Sequence, residues 1–276
     1  MIELNGEPAL VPQVAALALT NYGHFTTLRV EDGRVRGLGL HLARLVRDCR
    51  LVFGTELDPE LVRTRLREAL GREALGREGA GRRGAGPEGV PAVTVRVTVF
   101  DPALGLERPG GPADPQLLVT TRPAVGTAPP PLRVRTVEHR RDLPEVKHTG
   151  LFGLLHQRRL AQLAGFDDAL LTGAGGLISE GTTWNVLFHD GRHLVAPEAE
   201  CLPGVTEALL AAAHGGPRRT EPVTADGLER FVAAFATNAG FGIRPIAQID
   251  GVRFDPAHPL LGRLRAEYLA LPAEEV

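Results

Sequence analysis

Residues 168–197 read DALLTGAGGLISEGTTWNVLFHDGRHLVAP. Short apolar runs here are punctuated by Gly173–Gly176 and by Asp190-Gly191, turn chemistry that separates strands. The GAGG run is a turn and not a dinucleotide loop, because a strand rather than a helix follows it. On either side the pattern alternates. LFGLLHQRRLAQLAG (151–165) reads as a helix that Gly165 stops, and CLPGVTEALLAAAHGG (201–216) as a turn feeding a helix. LERFVAAF (228–235) reads as helical, RPIAQIDG (244–251) as a strand with a turn, and LGRLRAEYLAL (261–271) as a closing helix. Strands alternating with helices over 132–276 define a larger domain.

The first half reads differently. IELNGEPAL (2–10) begins like a strand and turn, and HFTTLRVEDGRVRGL (24–38) like a hairpin about Asp32-Gly33. HLARLVRDCRLVFG (41–54) places Leu42, Leu45, Val46, Cys49 and Phe53 on one helical stripe that Gly54 ends. Arg44 falls opposite that stripe, so periodicity alone puts it in solvent. A second helix starts after Asp58-Pro59. It is expected to decay into low complexity, where REALG at 67–71 repeats at 72–76, leaving a mobile loop over about 71–90. AVTVRVTVF (92–100) is a β-branched strand centred on Arg96. These elements form a smaller α+β domain over 1–124, joined to the larger one by the proline-rich stretch 122–135. The expected fold class is α/β (α+β) in two domains.

The 276 residues carry 43% hydrophobic and 23% charged side chains, with a net charge of -2. Such a balance leaves no electrostatic footprint for nucleic acid or anionic membrane. No apolar run approaches a membrane-spanning length, and MIELNGEPALV has neither the basic nor the apolar region of a signal peptide. Cys49 and Cys201 stand far apart without metal-ligand spacing, which suits a reducing compartment. A cytoplasmic protein is the expectation. HDGRH (189–193) puts two histidines about a hairpin turn with no supporting carboxylate or cysteine set, so no metal is expected.

LPEVKHTGLFG (143–153) contains the only lysine among 31 cationic Lys and Arg residues. Arginine stays protonated, whereas a lysine can lose its proton and act as nucleophile or base. Three features follow Lys147 in order. Glu180 lies among strand residues and small hydroxyls. LPGVT (202–206) sets Gly204, Val205 and Thr206 at a helix start, where free backbone N–H groups and the helix dipole favour a phosphate. Thr237 in ATNAG offers another hydroxyl. Lysine, carboxylate and phosphate cradle together suit pyridoxal phosphate: a Schiff-base amine, a partner for the pyridine nitrogen, and an anion site.

With these residues in place, the chain resembles the class IV aminotransferases, the fold-type-IV pyridoxal-phosphate enzymes. That group includes branched-chain and D-amino-acid aminotransferases and aminodeoxychorismate lyases. The resemblance runs through HLARL, VKHTG, GFDDALLTGAGGLISEGTTWNV, LPGVT and TNAGFGIRPIAQIDG. It implies a two-domain fold like that of D-amino-acid aminotransferase, with a barrel-like larger domain, the cofactor in the interdomain cleft, and a homodimer. It implies that Lys147 is the covalent lysine and the base that moves the substrate α-proton. Glu180 would pair with the pyridine nitrogen, Asn185 would support the cofactor strand, and Arg44, Val205, Thr206 and Thr237 would hold the phosphate.

Departures bear on substrate. Where branched-chain enzymes usually carry a tyrosine, Phe152 stands here without a hydrogen-bonding group. His148 is similar to many lyases, but Gly150 replaces an asparagine often found in them. Phe25 and Thr26 stand where a tyrosine hydroxyl and a carboxylate are usual, and Trp184 where a small or polar residue is usual. Arg96 is the candidate for the substrate carboxylate, with Arg108 second and Arg140 and Arg141 ambiguous. Phe25, Phe152 and Trp184 are candidates for lining the substrate. The expected reaction is amino transfer between an amino acid or amine and a 2-oxo acid. Pyruvate elimination from aminodeoxychorismate is the alternative, and a cofactor-binding protein with a decayed site is the third.

Overall fold

The computed structural model describes residues 1–79, 92–124, 126 and 129–276. They group into two compact units, Met1–Val125 with Val146–Gly150 and Ala273–Val276, and Gly126–Glu145 with Leu151–Pro272.

The first unit runs β1 (Ile2–Leu4), β2 (Glu7–Pro8), α1 (Val11–Thr20), β3 (His24–Val30), β4 (Arg34–Arg36), α2 (Leu38–Phe53), α3 (Pro59–Gly79), β5 (Val93–Phe100) and β6 (Gln116–Pro123). Among the described residues these strands form an antiparallel sheet in the order β2-β1-β6-β5-β3. Alternation along β5 explains its two faces. Val93, Val95, Val97 and Val99 join Leu38, Leu42 and Leu45 of α2 and Leu66 of α3 in one core, and each such burial contributes about 1.5–3 kcal/mol. The other face carries Thr94, Arg96 and Thr98. Asp32 and Gly33 both take positive φ, 49° and 73°, as a tight hairpin turn requires.

The second unit runs β7 (Leu132–Glu138), α4 (Phe152–Leu163), β8 (Asp168–Thr172), β9 (Ile178–Gly181), β10 (Asn185–His189), β11 (Leu194–Pro197), α5 (Val205–Ala213), β12 (Arg218–Glu221), β13 (Ala233–Asn238), β14 (Gly242–Ile249), β15 (Val252–Arg253) and α6 (Pro259–Ala270). The sheet order is β12-β11-β10-β13-β14-β7-β8-β9, with β15 on β14. Its two ends approach each other: Ile178 N–H donates to the Val223 carbonyl just past β12, at 2.8 Å. The sheet thus curls into a half-barrel around Leu170, Trp184, Phe188, Phe231 and Ile246, while α5 and α6 cover its outer side through Leu210, Leu261 and Leu264. A final strand, β16 (Ala273–Glu275), pairs with β4 in the first unit.

Asp168 anchors the block on which the sequence reading turned. Its buried carboxylate accepts from Arg158 at 3.0 and 2.8 Å, Thr182 Oγ1 at 2.7 Å, the Trp184 indole at 2.9 Å and the Ala169 amide at 2.8 Å. One carboxylate therefore ties α4 to β8 and to the β9–β10 turn. A buried charge so fully satisfied specifies register, and losing one donor strands the rest.

Four expectations need correction. First, α3 continues past the REALG repeat to Gly79, because tertiary contacts hold it: Arg72 binds Glu3 bidentately at 2.6 and 2.7 Å, and Glu73 accepts from Thr121 Oγ1 at 2.6 Å. The rest of the expected loop, 80–90, lies outside the described residues. Second, LERFVAAF is not a helix. A 3-10 turn ends at Arg230, and Ala233–Asn238 is a strand between β10 and β14. Five of its six residues are buried, a packing that small side chains allow on both faces. Third, the ends of the 122–135 stretch are strand, in β6 and β7, and Val125, Thr127 and Ala128 lie outside the described residues. Fourth, Val146–Gly150 belongs to the first unit although its neighbours in sequence belong to the second. Among the described residues, no helix is long and apolar enough to cross a membrane.

Glu207, in the first turn of α5, carries a carboxyl raised from 4.5 to about 7, by burial and then by the nearby Glu180. The folded protein keeps this proton to a higher pH than the unfolded chain, so stability falls as pH rises from about 4.5 through about 7. In ligand-free protein, Glu207→Gln should therefore raise Tm at pH 8, with the gain shrinking away below pH 4.5. A Tm difference that is the same at both pH values would contradict this.

Candidate active site

Lys147 is held by its backbone in the first unit. Phe25 N–H donates to the Lys147 carbonyl at 2.8 Å, and Thr149 N–H donates to the Gly23 carbonyl at 2.8 Å, so the segment lies antiparallel to the start of β3. Lys147 N–H donates to Asp48 Oδ2 of α2 at 3.0 Å. The ammonium Nζ lies 4.9 Å from the centroid of the Phe25 ring. The same ring lies 3.6 Å beneath the guanidinium of Arg96, which also donates to Thr98 Oγ1 at 3.1 Å. Burial, with Arg122 nearby, lowers the pKa of Arg96 from its ordinary value.

Arg44 is buried, against the periodicity reading. The helix has a second, polar stripe: His41, Arg44 and Asp48 recur at spacings of three and four, and all are buried beside the apolar one. Arg44 Nη2 donates to Thr26 Oγ1 at 2.7 Å, and Thr26 O–H donates to His41 Nδ1 at 2.8 Å. Burial holds the pKa of His41 far below its ordinary value, and the charges of Arg44 and Lys147 lower it further. The imidazole is therefore a neutral acceptor that orients Thr26, and Thr26 orients the guanidinium. Periodicity missed this because it scores apolar faces; the i, i+3, i+7 spacing of His41, Arg44 and Asp48 was the available signal.

The second unit gathers the other expected residues. Glu180, on β9, is buried, accepts from the Leu202 amide at 3.3 Å, and has Arg141 Nη1 at 4.0 Å. Asn185 opens β10, and its Nδ2 donates to the Leu202 carbonyl at 2.7 Å. A Cβ on Gly204 would come within 2.1 Å of Asn185 Oδ1, so only glycine lets this loop pass. Glu180 and Asn185 thereby hold the loop that launches α5. Its first residues, Val205 and Thr206, present amides that lack intrahelical acceptors. Thr237 lies directly across the ladder from Asn185. Thr206 Oγ1 and Thr237 Oγ1 are buried with no hydrogen-bond partner. A buried hydroxyl left unmade costs free energy, so two of them beside a helix N-terminus fit an anion that completes them.

The remaining candidates separate. Arg140 pairs with Glu200 at 2.5 Å in solvent, whereas Arg141 turns inward to Glu180. Trp184 is a packing residue, buried with its indole N–H on Asp168. Phe152 is 81% exposed and stacks on His156. Asp190 caps the hairpin between His189 and His193 by accepting from the Arg192 and His193 amides at 2.9 and 2.6 Å. Among the described residues, no group of three or more metal-ligating side chains is assembled. Cys201 is a thiol pushed up to about 12, by burial and by Glu180 and Glu207, and is inert.

The sequence model of the family described as amino-transferase class IV matches residues 23–249. A probable branched-chain-amino-acid aminotransferase from Rickettsia felis is 31% identical over 119 residues, which are 40% of this chain. The chain spans 41% of that relative's length. Two solved structures show the fold. An aminotransferase from Brucella abortus bound to the cofactor PLP superposes with a TM-score of 0.78 at 22% identity, covering 97% of both chains. A putative 4-amino-4-deoxychorismate lyase from Legionella pneumophila superposes with a TM-score of 0.74 at 21% identity, covering 91% of both. Fold, ordered motifs and family match agree: this chain belongs to the class IV aminotransferases.

Proposed function

We propose that this chain is a pyridoxal-phosphate-dependent aminotransferase, moving an amino group between an amino acid or amine and a 2-oxo acid. The observation that carries the reading is the pair of buried, partnerless hydroxyls of Thr206, at the start of α5, and Thr237, on β13 across from Asn185. Val205 and Thr206 amides, Thr237 and Arg44 would hold the phosphate, and Glu180, with Arg141 Nη1 at 4.0 Å from its carboxylate, would face the pyridine nitrogen. Asn185 keeps the α5 start in place. When bound, the cofactor supplies an electron sink that lets a substrate Cα–H bond break.

The chain's own residues do the rest. Lys147 would provide the amine that holds the cofactor covalently, and its Nζ, when free, would take the proton from the substrate α-carbon. Arg96 receives the substrate carboxylate, and stacking on Phe25 holds its guanidinium still. Because Phe25 has no hydroxyl, nothing at that position hydrogen-bonds the substrate, and it acts by shape. The resemblance carries a homodimer with it.

A second reading keeps the cofactor and changes the outcome to pyruvate elimination from aminodeoxychorismate. His148, directly after Lys147 and bridged to His24 of β3, favours it. Two assays separate the readings. Amino transfer requires a 2-oxo acid for continued turnover, whereas elimination releases pyruvate and 4-aminobenzoate with no acceptor present. Turnover that stops without a 2-oxo acid supports the first reading; steady 4-aminobenzoate formation overturns it.

The phosphate cradle has its own test. Thr206→Val and Thr237→Val each remove a donor to a charged group, worth about 1.5–3 kcal/mol, so the Kd for pyridoxal phosphate should rise roughly tenfold or more in each. Titration by absorbance or fluorescence measures it. An unchanged Kd in both variants would remove the phosphate from this helix start.

A further inference from the structure

We propose that Asp48 is a positioning residue for Lys147, fixing the lysine's backbone to the same helix that carries Arg44; the inference rests on Lys147 being the covalent lysine. The Asp48 side chain is fully buried, yet it sits between Leu45 and Cys49 of the apolar core. An apolar side chain would suit that packing better, since a buried carboxylate is costly unless every lone pair is used. Here both oxygens are used. Oδ2 accepts the Lys147 amide at 3.0 Å, and Oδ1 accepts Arg47 Nε and Nη2 at 3.0 and 2.6 Å.

Geometry explains what this arrangement accomplishes. The β3 edge holds the lysine segment through the Lys147 carbonyl and the Thr149 amide. The Lys147 amide takes no part in that pairing and bonds to α2 through Asp48 Oδ2. Asp48 thus adds a tie from the lysine's main chain to a helix, beside the two backbone bonds to β3. It stands one turn beyond Arg44 on the polar stripe of α2, so one rigid helix sets both the lysine backbone and the arginine guanidinium. Arg47 reaches the carboxylate from the solvent side, with 41% of its side chain exposed against 0% for Asp48, and cancels its charge. The lysine's main chain is thereby anchored to a carboxylate whose charge is already paired.

The test compares Asp48→Leu, which keeps the packing and loses the acceptor, with Asp48→Asn, which keeps the acceptor. Each protein is loaded with pyridoxal phosphate, reduced with borohydride, and mapped for the phosphopyridoxyl label on residue 147. Asp48→Leu should lower the labelled fraction and reduce kcat by about tenfold or more, with the amino-donor KM changed little. Asp48→Asn should restore most of both. Labelling and kcat in Asp48→Leu equal to wild type would overturn the proposal. Loss of label in wild type itself would instead overturn the reading of Lys147. Amide hydrogen exchange at Lys147 in the unsubstituted, cofactor-free chain decides the matter if a variant does not fold. Protection comparable to the β3 amides is expected, and exchange at the rate of an open loop would overturn the proposal.

Discussion

The structure depends on how a five-residue segment is held. Val146–Gly150 packs with the first unit, while the chain on either side of it belongs to the second. Such an excursion survives only if its backbone groups find partners, and they do: the Lys147 carbonyl and amide, and the Thr149 amide, are all bonded. Thr149 Oγ1 adds a bond to the Asn21 carbonyl at 2.8 Å. A lysine whose side chain must be both mobile and placed benefits from a main chain that is neither loose nor exposed. The fully buried Asp48 is the cost the fold accepts for that.

The second unit follows a different logic. There the work is done by side chains that hold loops for one another. Asp168 fixes the β9–β10 turn, β9 carries Glu180, and Glu180 and Asn185 both bind Leu202 ahead of α5. Each link is a buried polar contact, so an error in one propagates to the helix N-terminus. Thr206 and Thr237, whose buried hydroxyls have no hydrogen-bond partner, are an exception to these satisfied contacts. An anion-binding reading accounts for the exception and for the satisfied contacts around it.

Much of this was legible in the sequence, for identifiable reasons. The glycine turns around Glu180, the helix start at Val205 and the lone lysine are local signals, because each rests on residue types within a few positions. What was illegible is tertiary. Arg44 looked solvated because an apolar stripe says nothing about a polar stripe buried beside it. LERFVAAF looked helical because a strand buried on both faces shows no alternation, and its small residues suit either state. The REALG repeat looked disordered because the contacts that extend α3, from Arg72 to Glu3 and from Glu73 to Thr121, join residues far apart in the chain. The helix α1 and the strand β16 carry little local signal, since α1 buries none of its residues and β16 is defined only by its pairing with β4. Asp48 and His41 were passed over because a charged or titratable residue on a helix is ordinarily read as surface.

The central claim is that Lys147 carries the cofactor. Reduction of the purified, pyridoxal-phosphate-loaded protein with borohydride, followed by peptide mapping, tests it directly. A single phosphopyridoxyl group on Lys147, absent after Lys147→Arg, is expected. A protein that takes up no cofactor, or one in which Lys147→Arg is still labelled, would contradict it.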